Sequence, residues 1–255
     1  MSEASNASQS SKPIQNRNMA RQLDLDDAPP AMSFQNFMLL LLAATAGAIV
    51  AILVIPIWSP GLSASFGGSA PQAFWFLSRS SAAVAYTLLW LSMASGLMIS
   101  NKMARLWPGG PVAFDLHQYT SLLGLALAVF HALILMGDRY IHFGLQQVFV
   151  PFSSVEYRPV WVGLGQVAFY MMAVVALSFY VRRRIGNRSW RLIHYLSFVT
   201  YLLALGHGIF SGTDSGTAWA SYMYWTSGGV FLFLLIYRVL AAMIKLRPAT
   251  VKQTV

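Results

Sequence analysis

Six stretches of the chain lose their polar residues for about twenty positions at a time, and the polar residues collect between them. The apolar runs cover roughly 37–58 (FMLLLLAATAGAIVAILVIPIW), 76–99, 115–136, 160–181, 191–211 and 221–243. A helix crosses the hydrocarbon core of a bilayer in about 20 residues, and a lipid-exposed segment must satisfy its own backbone hydrogen bonds. The pattern therefore predicts an all-α membrane protein, a six-transmembrane-helix bundle. Pro56, Pro60, Pro108, Pro111, Pro151 and Pro159 fall at or just beyond the ends of these runs, where helices stop. Residues 1–35, rich in Ser, Asn and Gln, predict a disordered tail ahead of an uncleaved first span. Residues 36–244 then form the six-helix domain, and 245–255 a short basic tail. No internal repeat stands out.

Composition sharpens this. Hydrophobic residues make up 56% of the 255 and charged residues only 10%, where soluble domains carry about a quarter. Cysteine is absent, which excludes disulfides, thiolate metal sites, iron–sulfur clusters and haem attached through C-x-x-C-H. Any metal must be held by His, Met, Tyr or carboxylates. The net charge of +9 does not form one patch, so nucleic acid is not the expected partner. With the N-terminus inside, all of the 17 Lys and Arg except Arg79, Arg139 and Arg158 lie on the inner side. That bias predicts both termini in the cytoplasm. The RRRIGNRSWR turn reads as part of the topology signal, with a docking surface for a cytosolic partner as the second reading.

Four of the five histidines bracket two of the apolar runs. Residues 117–131 read HQYTSLLGLALAVFH and residues 194–207 read HYLSFVTYLLALGH. Fourteen residues of helix rise about 21 Å and complete nearly four turns, so His117 and His131 leave one face of the third span. The third and fifth spans run in the same direction. Side by side, they set His117 level with His194 near the inner side and His131 level with His207 near the outer side. Two imidazoles facing each other across a gap are the arrangement that ligates a haem iron from both sides. The thirteen-residue spacing of His194 and His207 leaves a remainder of roughly 220°. It predicts a local irregularity in the fifth span, at Gly206. His142, in an outer loop, has no partner at comparable spacing and reads as a surface residue. The second class of reading is a proton relay or solute transporter. None of the eight acidic residues lies in the middle of a span, and that argues against a relay.

At these residues the chain resembles the ferric reductase-like transmembrane domain family, across roughly residues 37–243. That family includes the membrane core of NADPH oxidases, the ferric reductases, and the haem-b subunit of the bacterial periplasmic methionine sulfoxide reductase system. The resemblance rests on the six spans, on the two histidine pairs, and on the arginine of LSRSSAAVAY opening the second span. It implies two stacked, non-covalent haem b groups that carry electrons from inside to outside. His117 and His194 would hold the inner haem, and His131 and His207 the outer one. Arg79 matches an arginine near the outer haem in oxidase relatives and would suit a propionate, interfacial snorkelling being the other reading. Arg191, one turn before His194, would serve the inner propionates on the same logic.

The chain also departs from the larger relatives. The short tail ending MIKLRPATVKQTV leaves no room for FAD- and NAD(P)H-binding domains, and no EF-hand loop precedes the first span. Leu135 stands where oxidase relatives carry a further histidine, which counts against oxygen as the physiological acceptor. The expected role is the membrane haem subunit of an oxidoreductase in a bacterial inner membrane. A separate flavoprotein, a flavin at the cytoplasmic face, or a quinol from the lipid would deliver electrons. A periplasmic or extracellular acceptor would take them, ferric chelate and oxygen reduction being the alternatives. Phe130, Tyr195, Phe198, Tyr201 and Phe210 are candidates for packing on the porphyrin, with plain span packing as the other reading. Loop 138–159 is a candidate lid over the outer haem, with ordinary membrane-interface packing as the equal alternative.

Overall fold

The structure is a computed structural model that describes residues 29–60, 73–138, 143–155 and 157–246. Most of the predicted N-terminal tail, Arg139, His142 and all but the first two residues of the final basic tail lie outside these residues. The helices are α1 (Phe34–Trp58), α2 (Ala73–Ser100), α3 (Gly110–Ile134), α4 (Leu145–Phe149), α5 (Pro159–Ile185), α6 (Asn187–Ser211) and α7 (Ala218–Leu246). All but the five-residue α4 are long and apolar enough to cross a membrane. The chain is therefore an all-α, six-span membrane protein.

Helix ends follow local chemistry. Ser33 caps α1, accepting the Asn36 N–H at 3.2 Å. Prolines occupy the first turns of α3 and α5, where the missing N–H costs no intrahelical bond. Pro56 sits in the last turn of α1, which ends at Trp58 as the apolar run does.

Two antiparallel hairpins, α2–α3 and α5–α6, make the most extensive contacts. Helix α1 lies against α3, and α7 against α2. The hairpins meet through α2 with α6 and through α3 with α5, whereas α3 and α6 hardly approach each other through their backbones. One core cluster gathers Tyr86, Met93, Leu97, Tyr201, Phe231 and Leu234 between α2, α6 and α7. A second places Phe37 of α1 on Leu122 and Leu125 of α3. Large apolar side chains face outward, Ile57 at 76% and Trp225 at 83% exposure. A lipid surround accommodates such a surface where water would not.

Candidate functional site

The two histidine helices stand apart, and their imidazoles bridge the space between them. The His117 and His194 ring centres are 5.9 Å apart, and those of His131 and His207 are 6.4 Å apart, both pairs inclined at 70°. The levels expected from sequence are thus the levels the fold makes.

How the rings are aimed was not read from the sequence. Helix α2 carries Leu-Ser-x-x-Ser twice, at 77–81 and 91–95, a fourteen-residue repeat that matches the histidine spacing of α3. The His117 Nδ1–H donates to the Ser92 carbonyl at 2.8 Å, with Ser92 Oγ at 3.1 Å. The His131 Nδ1–H donates to the Ser78 carbonyl at 2.9 Å, with Ser78 Oγ also at 2.9 Å. The second serine of each repeat, Ser95 or Ser81, donates to the same carbonyl at 3.0 or 2.9 Å. Because α2 and α3 are antiparallel, one repeated sequence serves both ends of the hairpin.

The α5–α6 hairpin uses a different device. His207 Nδ1–H donates to the Trp161 carbonyl at 2.8 Å. Its ring lies on Gly165, one turn along α5, where a Cβ would stand 2.6 Å from Cγ and closer still to Nδ1. Gly96 of α2 is the counterpart under His117, with a Cβ position 3.1 Å from Cε1. Gly124, midway between His117 and His131, is not such a notch: a Cβ there would stand in ordinary contact, 3.5 Å from the Ala85 carbonyl oxygen.

A carbonyl only accepts, so these bonds assign the proton of His117, His131 and His207 to Nδ1 and leave Nε2 as a bare lone pair. No side chain among the described residues hydrogen-bonds those Nε2 atoms. Two imidazoles bound on opposite sides of one metal at about 2 Å each would put ring centres about 6 Å apart. Among the described residues no three His, Cys, Asp or Glu side chains come together. A tetrahedral ion at either level would lack protein ligands.

One expectation needs correcting, and the other candidates can be placed. Helix α6 is an unbroken α-helix from Asn187 to Ser211, with no irregularity at Gly206. The rotational mismatch is taken up by His207, which leans to the Trp161 carbonyl across the Gly165 notch. Tyr201 and Phe198 face the α7 aromatic cluster, with Tyr201 4.6 Å from Phe231. Tyr195 is exposed, and Phe210 stacks on Trp161 at 4.0 Å. The middle of the candidate lid is anchored on α5. Gln166 Nε2 donates to the Gln147 and Val148 carbonyls at 2.7 and 2.9 Å, and Phe152 covers Gly163. Helical geometry sets Gly163, Gln166 and Tyr170 roughly 150° around α5 from Trp161 and Gly165. Residues 147–152 therefore lie on the face of α5 turned away from His207, whereas Tyr157 and Arg158 reach the Ser211 and Phe210 carbonyls, three to four residues beyond His207 on α6.

The arginines sit at opposite ends. Arg79, next to Ser78, is ion-paired with Asp214 and lies 5.5 Å from the Phe76 ring. Arg191 is exposed at the start of α6, one turn before His194. Near Arg79 and Arg158, the Tyr157 hydroxyl donates to the Ser211 carbonyl at 2.6 Å. Burial pushes its pKa up, against the opposing pull of the Arg158 and Arg79 charges.

Residues 73–214 match the family described as Domain of unknown function (DUF8596). The match spans both histidine-bearing hairpins. No curated protein and no solved structure matches the chain. The chain belongs to the DUF8596 family.

Proposed function

For this DUF8596 member we propose the role of a membrane subunit that holds two b-type haems, one per histidine pair, and passes electrons across the bilayer. The observation that carries the reading is the pairing itself: facing imidazoles 5.9 and 6.4 Å apart, three of the four with Nδ1 committed to a carbonyl. Bare nitrogens facing one another inside a membrane are unfavourable unless an electrophile sits between them. Two protein ligands per level suit a metal that brings its own equatorial donors, and a porphyrin does so. The wide α3–α6 separation suits a flat group. Haem b held by two imidazoles supplies a one-electron carrier with no open coordination position, suited to outer-sphere transfer.

Each feature of the chain then has a task. Ser78, Ser92 and Trp161 fix the tautomer and orientation of three ligands through their carbonyls, the kind of support that raises imidazole basicity. Gly96 and Gly165 let rings lie flush on neighbouring helices. Apolar walls keep water from the two levels, which α3 separates by about 21 Å. Lys102, Arg105, Arg188, Arg191 and Arg238 belong to the His117–His194 end, while Arg79 and Arg158 mark the other. By the positive-inside rule the first end faces the cytoplasm and the electron donor. Arg79 and Arg191 would stand near propionates at their respective ends. The resemblance to the ferric reductase-like family points the same way, to a flavoprotein or quinol donor and an acceptor outside the membrane.

The test is spectroscopic. Purified protein should show reduced-minus-oxidised haem b bands with close to two haems per chain. His131→Ala should remove one haem and leave the other. A colourless protein would end the proposal.

A further inference from the structure

His194 is held differently from the other three histidines. His117, His131 and His207 each give Nδ1–H to a backbone carbonyl at 2.8–2.9 Å. His117 and His207 also lie in glycine notches. His194 has no hydrogen-bond partner among the described residues. Its neighbours are rings: Trp190 on its own helix, with centres 5.3 Å apart, and His117 opposite. Trp190 in turn meets Phe179 of α5 at 6.2 Å, and its buried indole Nε1 has no hydrogen-bond partner among the described residues. The asymmetry is built into the two hairpins. Helix α2 repeats its anchor, whereas α5 offers a carbonyl and a notch to one of the two α6 histidines.

A metal-bound imidazole without an Nδ1–H acceptor is less basic and less firmly oriented. Removing such support typically weakens metal binding by about 10–100-fold. We infer that His194 is the exchangeable ligand, so that the His117–His194 level opens to a small neutral diatomic molecule when reduced, while the His131–His207 level stays closed. This rests on the two-haem reading above and adds a ligand site to it. The step is ligand replacement: the His194 Nε2–iron bond breaks, the incoming molecule takes that position, and no electrons are exchanged.

The experiment uses the full-length protein in detergent, with haem content measured first and carbon monoxide as the probe. Reduced protein should take up carbon monoxide at one of its two haems. Transfer of haem to excess apomyoglobin should be biphasic, with one phase about 10–100-fold faster. His131→Ala should retain the carbon monoxide-reactive haem. His194→Ala should still show one reactive haem; two would mean that the wild-type protein opens at the other level. Two haems with no uptake, or uptake lost in His131→Ala but kept in His117→Ala, would overturn the inference and leave the two-haem reading standing. Absence of haem would overturn both.

Discussion

Replacing Gly165 by alanine is the sharpest single test of how His207 is held. A Cβ there would stand 2.6 Å from Cγ and 2.7 Å from Cε1 of the ring, and closer still to Nδ1. Ordinary contact begins at about 3.5 Å, so the ring must retreat by roughly 1 Å. Its retreat is opposed by the 2.8 Å bond from Nδ1–H to the Trp161 carbonyl, one turn away on the same helix. Backing off by that amount stretches the bond past about 3.5 Å, where it no longer counts as one. Overpacking of this kind costs about 1–3 kcal/mol, and a lost outer-shell bond costs about 10–100-fold in metal affinity. If the two-haem proposal holds, Gly165→Ala should therefore loosen the haem at the His131–His207 level by one to two orders of magnitude, leaving the other in place. Gly96→Ala should act more mildly on His117, where the added carbon stands 3.1 Å away. Gly206→Ala, 3.6 Å from the Trp161 ring, should be nearly silent. Haem stoichiometry and transfer to apomyoglobin measure the series. Equal haem retention in all three variants would refute the notch argument.

The other predictions probe separate parts of the fold. Tyr86→Phe removes a hydroxyl that meets Ser227 Oγ at 2.6 Å and the Tyr201 hydroxyl at 3.3 Å. It should cost about 0.6–1.7 kcal/mol in detergent unfolding, the range of interhelical bonds in membranes, and a cycle with Ser227→Ala should show coupling. Gln166→Ala deletes the two donations to the Gln147 and Val148 carbonyls. Limited proteolysis should then cut within 143–155 sooner, while haem content stays unchanged because that segment lies away from His207. Tyr157 has its pKa raised by burial in the folded protein, so the folded state keeps its proton after the unfolded chain has lost it. Stability should be unaffected below about pH 10 and fall above it; melting of Tyr157→Phe across that range should lack this part of the fall.

What the linear sequence determined follows from one-dimensional quantities. Hydropathy needs only a window, so six spans were legible, and the i+14 spacing of His117 and His131 carries its own helical phase. The alignment of the third and fifth spans followed from counting crossings. The Leu-Ser-x-x-Ser repeat of α2 also stands in the sequence, but it does not stand out there, and only the fold shows that its fourteen-residue period serves the histidines. The tertiary structure alone decided how the rings are aimed. The carbonyl of Trp161 is a group every residue possesses, so nothing in the residue's identity announces that it anchors His207. Gly165 looks like any glycine in a span until α6 lays a ring upon it. The thirteen-residue spacing in α6 suggested a distorted backbone because phase was counted along one helix. The fold resolves it between helices, where turning a side chain toward a neighbour costs less than breaking helical hydrogen bonds in an apolar surround.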